Sequence, residues 1–302
     1  MAWGPDEVAE GQIARRLAAP ADRPDLGALA ARWFHQVIIV RTARPPDMPV
    51  LTLLNRVRGA WGGRLMAGAS ASALAGRPCS FDPPCALDVF LREQLRLDGG
   101  RHGLPKPYVI GADLHRRHLD LRLTLFGFSC DWLPAAREAL VAALAHDVDL
   151  AGGRRGLTVE GVDLATVEGL ALPPAPRFAA LDFATPFDAT GADVFEAPWT
   201  LVARLARRVD GLARWMDAEP DCDWPALAQA WRGIAYGGAH LAQTDARRAS
   251  RRQDRRFANP VVEGVVTLEG DLAALWPLLV IGQTCHVGRG ATAGQGRYRL
   301  VA

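Results

Sequence analysis

The chain has 302 residues, the length of one large domain or of two domains of about 150 residues, and long enough to bury a core. A hydrophobic share of 49% with 23% charged residues excludes a disordered or fibrous chain. Lys and Arg number 35 against 33 Asp and Glu, and the resulting +2 gives no reason by itself to expect a nucleic-acid partner. Lys106 is the only lysine, so nearly all positive charge is guanidinium, always ionised and shaped for bidentate phosphate contact; codon bias in a GC-rich genome explains this more simply.

Residues 1–16 lack the basic-then-apolar pattern of a signal segment. The longest apolar stretch, residues 272–281, falls short of the roughly 20 residues that span a bilayer, so no membrane partner is expected. Five scattered cysteines, Cys79, Cys85, Cys130, Cys222 and Cys285, fit reduced thiols in a cytoplasm better than a disulfide framework. Cys79 and Cys85 are the one near pair. Their spacing is not CxxC and no histidine or second pair stands at zinc spacing, so no metal and no cofactor is expected.

In chain order, residues 1–31 read as a polar, Ala-rich, partly helical and peripheral extension broken by Pro20 and Pro24. Residues 33–41 (WFHQVIIVR) are β-branched and aromatic and predict a strand. Residues 51–66 space Leu54, Val57, Trp61 and Leu65 by three and four, which predicts a helix. An insertion around residues 67–104 contains Gly, Ser, Pro and Cys and one amphipathic segment. Residues 106–110 predict a short strand, and residues 119–126 (LDLRLTLF) alternate leucine with polar residues, the pattern of a half-exposed strand. Residues 133–146, with Pro134 in the first turn and Ala136, Leu140 and Leu144 on one face, predict a helix, and residues 157–164 a closing strand. Strand, helix, strand, strand, helix, strand is the split βαβ order of a ferredoxin-like domain.

After an LPPAP linker at residues 172–176 the order recurs. Residues 177–187 predict a strand, residues 199–216 a helix striped by Leu201, Leu205, Val209, Leu212 and Met216, and residues 225–236 a second helix. Strands follow around residues 247–252 and 261–269. Asp271 is placed to cap a helix running from Leu272 toward Cys285, which Pro277 must kink or shorten, and residues 298–301 close the chain as a strand. The expected class is α+β, two tandem ferredoxin-like (RRM-like, βαββαβ) domains. The first covers residues 32–170, and the second residues 177–302 with a helical insertion around 199–236.

Two segments carry chemistry. The run GQTCHVGRGATAGQGRYRL holds Gly282, Gly288, Gly290, Gly294 and Gly296, whose bare backbone can approach a ligand closely and offer N–H groups to phosphate. It is neither a dinucleotide fingerprint, since it stands between a helix and a strand, nor a Walker loop, since no Gly-Lys-Ser/Thr ends it. It contains Arg289, Arg297 and Arg299 and no acid; a flexible turn before the last strand is its plain alternative. The second segment, ARRASRRQDRR, sets Arg247, Arg248, Arg251, Arg252, Arg255 and Arg256 against Asp254 alone. A charge run is usually a solvated face, but two basic segments in one half of the chain form an electrostatic footprint for a nucleic-acid backbone. Arg204, Arg207, Arg208 and Arg214 add a basic face to the 199–216 helix, which snorkelling surface arginines explain equally well.

LTLFGFSCDWLPAAREAL, the LDFATPFD strand, SRRQDRR before VEGVVTLEGDL, and above all LLVIGQTCHVGRGATAGQGRYRL resemble the CRISPR repeat-processing endoribonucleases of the RAMP superfamily. NRVRGAWGGRL with its Cys-containing insertion is similar to that family's first helix, and the resemblance runs from Trp33 to the C-terminus. It implies tandem ferredoxin-like domains in a prokaryotic cytoplasm that bind a CRISPR repeat stem-loop and cut precursor RNA without metal. A ribose 2′-OH attacks the adjacent phosphate, leaving a 2′,3′-cyclic phosphate. The implied partners are repeat RNA, the mature guide and other subunits of a CRISPR effector complex. A guide-binding subunit of the same fold without nuclease activity is the alternative, and an α+β enzyme for a small phosphorylated ligand a third.

The cut needs a base for the 2′-OH, an acid for the 5′-oxygen and donors around the phosphate. Histidine, with its pKa near 6.5, suits the first two roles. His35 in the first strand, His286 at the mouth of the glycine loop and His240 before the arginine run are the candidates; His102, His115, His118 and His146 read as surface residues. Half-buried packing beside Trp33 is the bland account of His35, and capping of the helix C-terminus that of His286. With three tyrosines and one lysine the chain departs from a His, Tyr and Lys set, which leaves an arginine-based or absent catalysis open. The net +2 is an average over segregated charge. Residues 247–256 carry net +5, residues 286–302 net +3, and the other 275 residues net −6.

Overall fold

The β-branched run in VIIV forms the middle of strand β1 (Phe34–Ala43) in the computed structural model, which describes residues 11–44, 48–97, 102–150, 155–188, 197–250 and 255–302. The chain divides into two units built from interleaved segments. Phe34–Glu168 is joined by residues up to Arg23 and by Gly211–Glu219; Gly169–Asp210 and Pro220–Ala302 are joined by Pro24–Trp33.

In the N-terminal unit, β1 lies between β5 (His118–Phe126) and β6 (Val159–Glu168), with β4 (Tyr108–Leu114) outside β5 and every pair antiparallel. Helices α3 (Val50–Ala67) and α6 (Leu133–His146) follow the first and third strands of this sheet, completing the ferredoxin-like order. The three-and-four spacing of α3 buries Leu53, Leu54, Val57, Trp61 and Leu65. Trp61 donates its indole N–H to the carbonyl of Ala136 at 3.1 Å and meets Tyr108 edge-on at 4.8 Å, so the ring is satisfied at both its polar and its aromatic edge. The insertion adds short helices α4 (Ala71–Leu74) and α5 (Ala86–Leu91) and a small ribbon of β2 (Arg96–Leu97) and β3 (His102–Gly103).

Two expectations change here. The polar side of β5 is not half-exposed: Asp120 and Thr124 are buried, because β5 is an inner strand and Arg41 of β1 covers Asp120 from the neighbouring register position. The N-terminal extension is not peripheral either. Helix α1 (Gln12–Ala18) buries Ile13, Ala14 and Leu17, and α2 (Leu26–Ala31) buries Leu26, Leu29 and Ala30 with Asp25 accepting from the N–H of Ala28 at 2.7 Å.

The C-terminal unit repeats the topology. Its sheet runs β10 (Tyr298–Val301), β7 (Phe178–Asp188), β9 (Arg255–Glu269), β8 (Ala235–Ser250), with α7 (Trp199–Ala213) and α8 (Trp224–Arg232) after β7 and α9 (Trp276–Cys285) after β9. Gly282 lets α9 lie against β10: a Cβ there would stand 2.1 Å from the Tyr298 hydroxyl, which instead donates to the carbonyl of Leu279 at 2.7 Å.

Boundaries differ from expectation where proline or tertiary pairing decides. Helix α9 starts at Trp276, since Pro277 is tolerated only in a first turn, and Asp271 accepts from the N–H of Ala273 in the turn before it. Helix α7 stops at Ala213; Arg214–Met216 form a 3₁₀ turn ending at left-handed Asp217. That turn lies in the N-terminal unit, where Trp215 packs on Phe128 at 4.9 Å and donates to the carbonyl of Pro105 at 3.2 Å. Tyr236 is not in α8, because its backbone pairs with Leu268 in the sheet. Among the described residues no helix is long and apolar enough to cross a membrane.

Candidate nucleic-acid interface

The glycine loop joins α9 to β10 in the C-terminal unit and folds back on itself. Val287 N–H donates to Gly296 carbonyl at 3.0 Å, Gln295 N–H to Gly290 carbonyl at 3.1 Å, and Gly296 N–H to Pro186 carbonyl at 2.9 Å. Thr185 ties it to β7, donating to the carbonyl of Gly294 at 2.7 Å and accepting from Arg297 N–H at 3.0 Å. Gly296 is required twice over: its φ is 70° and a Cβ would stand 1.9 Å from the Val287 carbonyl. The loop is therefore an ordered structure rather than a flexible turn, and the N–H groups of its second half are spent within the protein. The backbone N–H groups of Gly288, Arg289 and Gly290 make no backbone hydrogen bond among the described residues, whereas Ala291 beyond them is buried.

Arginines gather beside it from α7. Arg204 donates to the carbonyl of Asp188 at 2.7 Å; burial, with Arg289 and Arg207 nearby, depresses its pKa from the ordinary guanidinium value, opposed by Asp188. Arg207 and Arg289 are exposed. The basic face expected of this helix divides accordingly. Arg208 is buried and donates to the carbonyl of Cys285, neutralising the α9 C-terminus, and Arg214, in the N-terminal unit, bonds the carbonyl of Leu17 at 3.2 Å and Glu219 at 2.8 Å.

The other arginine segment is a hairpin. Beyond the last pair of β7 with β9, Asp188 opposite Val261, strands β8 and β9 continue paired only with each other, through Asp245 opposite Pro260 to Ser250 opposite Arg255. Arg247 and Arg248 stand opposite Ala258 and Phe257, and Arg256 opposite Ala249, on this two-stranded arm. Arg251 and Arg252 lie outside the described residues. The expected strand at 247–252 is thus the end of one that begins at Ala235, because the Gly-rich start of β8 pairs with β9 rather than extending α8.

Two of the candidate histidines, His35 and His286, are buried. His35 is 6% exposed, its ring 5.9 Å from Phe126, and burial lowers its pKa to about 4. His286 is the C-cap residue of α9 at φ 60° and is 5% exposed. Burial, then Arg208 and Arg297, lowers its pKa to about 3 against a backbone contact with Gln295, so the cation at the helix end is Arg208 and His286 is neutral. His240 lies on β8 where the register shifts between Ala239 and Ala242.

Residues 181–298, which include most of β7, α7, the arginine arm and the whole glycine loop, match the family described as CRISPR-associated endoribonuclease Cas6. That match covers residues 181–298, a little over a third of the chain, and makes this segment similar to Cas6. Solved Cas6 structures share the fold over almost the entire chain. A Cas6 (TTHA0078) product complex is 18% identical with a TM-score of 0.52, covering 89% of this chain and 100% of its own. A Cas6 (TTHB231) product complex, of a Thermus thermophilus protein, is 18% identical with a TM-score of 0.52 over 88% of this chain and 100% of its own. No curated protein matches the chain by sequence. At such identity the structural likeness is one of fold, and it confirms tandem ferredoxin-like domains. Within the matched segment, helical spacing puts Arg204, Arg207 and Arg208 on one face, but Arg204 bonds Asp188 near Arg289 while the end of α9 buries Arg208.

Proposed function

We propose that this chain is a precursor CRISPR RNA endoribonuclease that grips a repeat stem-loop with its C-terminal unit and cuts it without metal. The observation that carries the reading is the half-open glycine loop with Arg204, Arg207 and Arg289 beside it, inside the segment that matches Cas6. Backbone N–H groups of Gly288, Arg289 and Gly290 without a backbone acceptor, together with guanidinium groups, suit a phosphodiester whose charge grows in the transition state. The two-stranded arm adds Arg247, Arg248, Arg255 and Arg256 to the backbone contacts, with Arg251 and Arg252 between them in sequence. Gly294, Gly296 and Arg297 hold the shape of the loop.

The nucleophile is the RNA's own 2′-OH, which needs a proton acceptor but no metal-bound water. Attack on the adjacent phosphorus forms the 2′,3′-cyclic phosphate and expels the 5′-oxygen, which takes a proton to leave as a hydroxyl. His240, at the β8 irregularity, is assigned as the base, and buried His35 and His286 are assigned structural roles. Related Cas6 proteins have been solved as product complexes, and we extend that retention to this chain: the cut guide stays bound and enters an effector complex. The burial of His35 and His286 favours one second reading, a guide-binding subunit that does not cut.

Repeat RNA incubated with the protein in EDTA separates them. Cleavage to a cyclic-phosphate end supports the endoribonuclease, tight binding without cleavage the guide-binding subunit, and no binding at low salt overturns both. His240→Ala is expected to lose cleavage and retain binding; full activity in that variant removes His240 as the base.

A further inference from the structure

Histidines 115 and 118, which read as surface residues in the sequence, flank the turn between β4 and β5. His115 N–H donates to His118 carbonyl at 3.0 Å across the two-residue tip Arg116-Arg117, and the imidazoles stack with centroids 4.3 Å apart and planes 22° from parallel. Both present Nε2 to one atom: Oδ2 of Asp120 lies 3.3 Å from His115 and 3.9 Å from His118. The other oxygen, Oδ1, accepts from Arg41 Nε at 3.0 Å, which fixes the carboxylate so that Oδ2 faces the rings. Arg44 braces the turn, its backbone N–H on the carbonyl of Arg117 at 3.3 Å and its guanidinium on that of His115 at 3.4 Å.

We propose that His115, His118 and Asp120 form a site for a divalent transition-metal ion of the zinc class. Among the described residues these three form a group whose ligand atoms all lie within 4.8 Å of one another. A tetrahedral ion with bonds of about 2.0–2.2 Å sets its ligands about 3.3–3.5 Å apart. The His115–Asp120 edge already has that length, the His118–Asp120 edge must shorten by about half an ångström, and the His115–His118 edge, no longer than 4.8 Å, closes by rotation of the stacked rings by up to about 1.5 Å. Two imidazole nitrogens and one carboxylate oxygen favour zinc, cobalt or nickel over magnesium or calcium, which take oxygen ligands. His115 is exposed, which leaves the fourth position to water. Four arginines around the turn, Arg41, Arg44, Arg116 and Arg117, oppose a cation, so micromolar rather than nanomolar affinity is expected. The ion would clamp the turn and takes no part in the RNA cleavage proposed above. The same geometry argues against the pair as acid and base for that cleavage, because both Nε2 atoms converge on one carboxylate instead of flanking a phosphate.

The test is calorimetric titration of the metal-free, tag-free full chain with Zn²⁺, repeated with Co²⁺ to read the visible bands of tetrahedral coordination. One equivalent is expected to bind, and His115→Ala/His118→Ala to weaken it at least tenfold. Asp120→Asn should weaken it similarly; because Asp120 also holds Arg41, circular dichroism checks the fold and the exposed His115→Ala variant stands alone if it fails. A Cys79→Ser/Cys85→Ser chain excludes thiol binding. Absence of binding, or binding that survives loss of both histidines, overturns the proposal.

Discussion

The two units share one strand order and treat their arginines oppositely. In the N-terminal sheet, Arg41 pairs with Asp120 at 3.0 Å and Arg122 with Asp113 at 2.6 Å, and on the helices Arg64 meets Asp147 and Arg92 meets Asp88. In the C-terminal unit, Arg299 pairs with Asp182 at 2.9 Å, but the charge of Arg204 is disfavoured by burial and by nearby Arg289 and Arg207, with Asp188 opposing. Repulsion between cations is tolerated where a polyanion relieves it, which under the proposed function makes the C-terminal unit the half that grips RNA.

The comparison is easiest to break through RNA binding. Replacing the six arginines of the arm with alanine should cost about a thousandfold in affinity at low salt and flatten the log–log salt slope by about 4 to 5. Neutralising the paired Arg41, Arg64 and Arg122 should leave the slope unchanged; equal effects from both sets would erase the distinction. Filter binding over a salt series measures this.

Glycines sharpen it next. Gly296→Ala places a Cβ 1.9 Å from a carbonyl at φ 70° and should destabilise the C-terminal unit by about 3 kcal/mol, with loss of RNA binding. Gly63 of α3 is exposed with nothing within 4 Å of a Cβ, so Gly63→Ala should stabilise the N-terminal unit by about 0.8 kcal/mol. Urea unfolding of the two variants gives opposite signs or contradicts the account.

Acid should affect both halves alike. His35, in one unit, and His286, in the other, hold pKa values of about 4 and about 3 when folded and near 6.5 when unfolded. Between those values the unfolded chain binds the extra proton, so the stabilisation is complete above about pH 6.5 and falls with pH, by about 2 kcal/mol per histidine from pH 6.5 to 5. His35→Gln and His286→Gln should each remove one share of that pH dependence; unchanged dependence in either shows that its ring is solvated.

Much of this was legible in the chain because period and punctuation decide it locally. Alternating leucines gave β5, Pro134 the start of α6, and the dense glycines their loop. What escaped needed partners distant in sequence. Asp120 looks exposed until Arg41, 79 residues earlier, lies beside it. Arg208 repeats the pattern of Arg204 one turn on, yet the end of α9 covers it. His35 and His286 carry the residue type that RNA cleavage calls for, but burial, which no local pattern encodes, governs their protonation. The convergence of His115 and His118 on Asp120 follows from a hairpin register, again invisible in composition.

The most direct test of the central claim uses the repeat RNA with a single 2′-deoxynucleotide at the mapped cleavage position, in EDTA. The account predicts that binding is retained and cleavage is abolished, because the nucleophile has been removed. Continued cleavage at that position would mean that water attacks the phosphate and would contradict it.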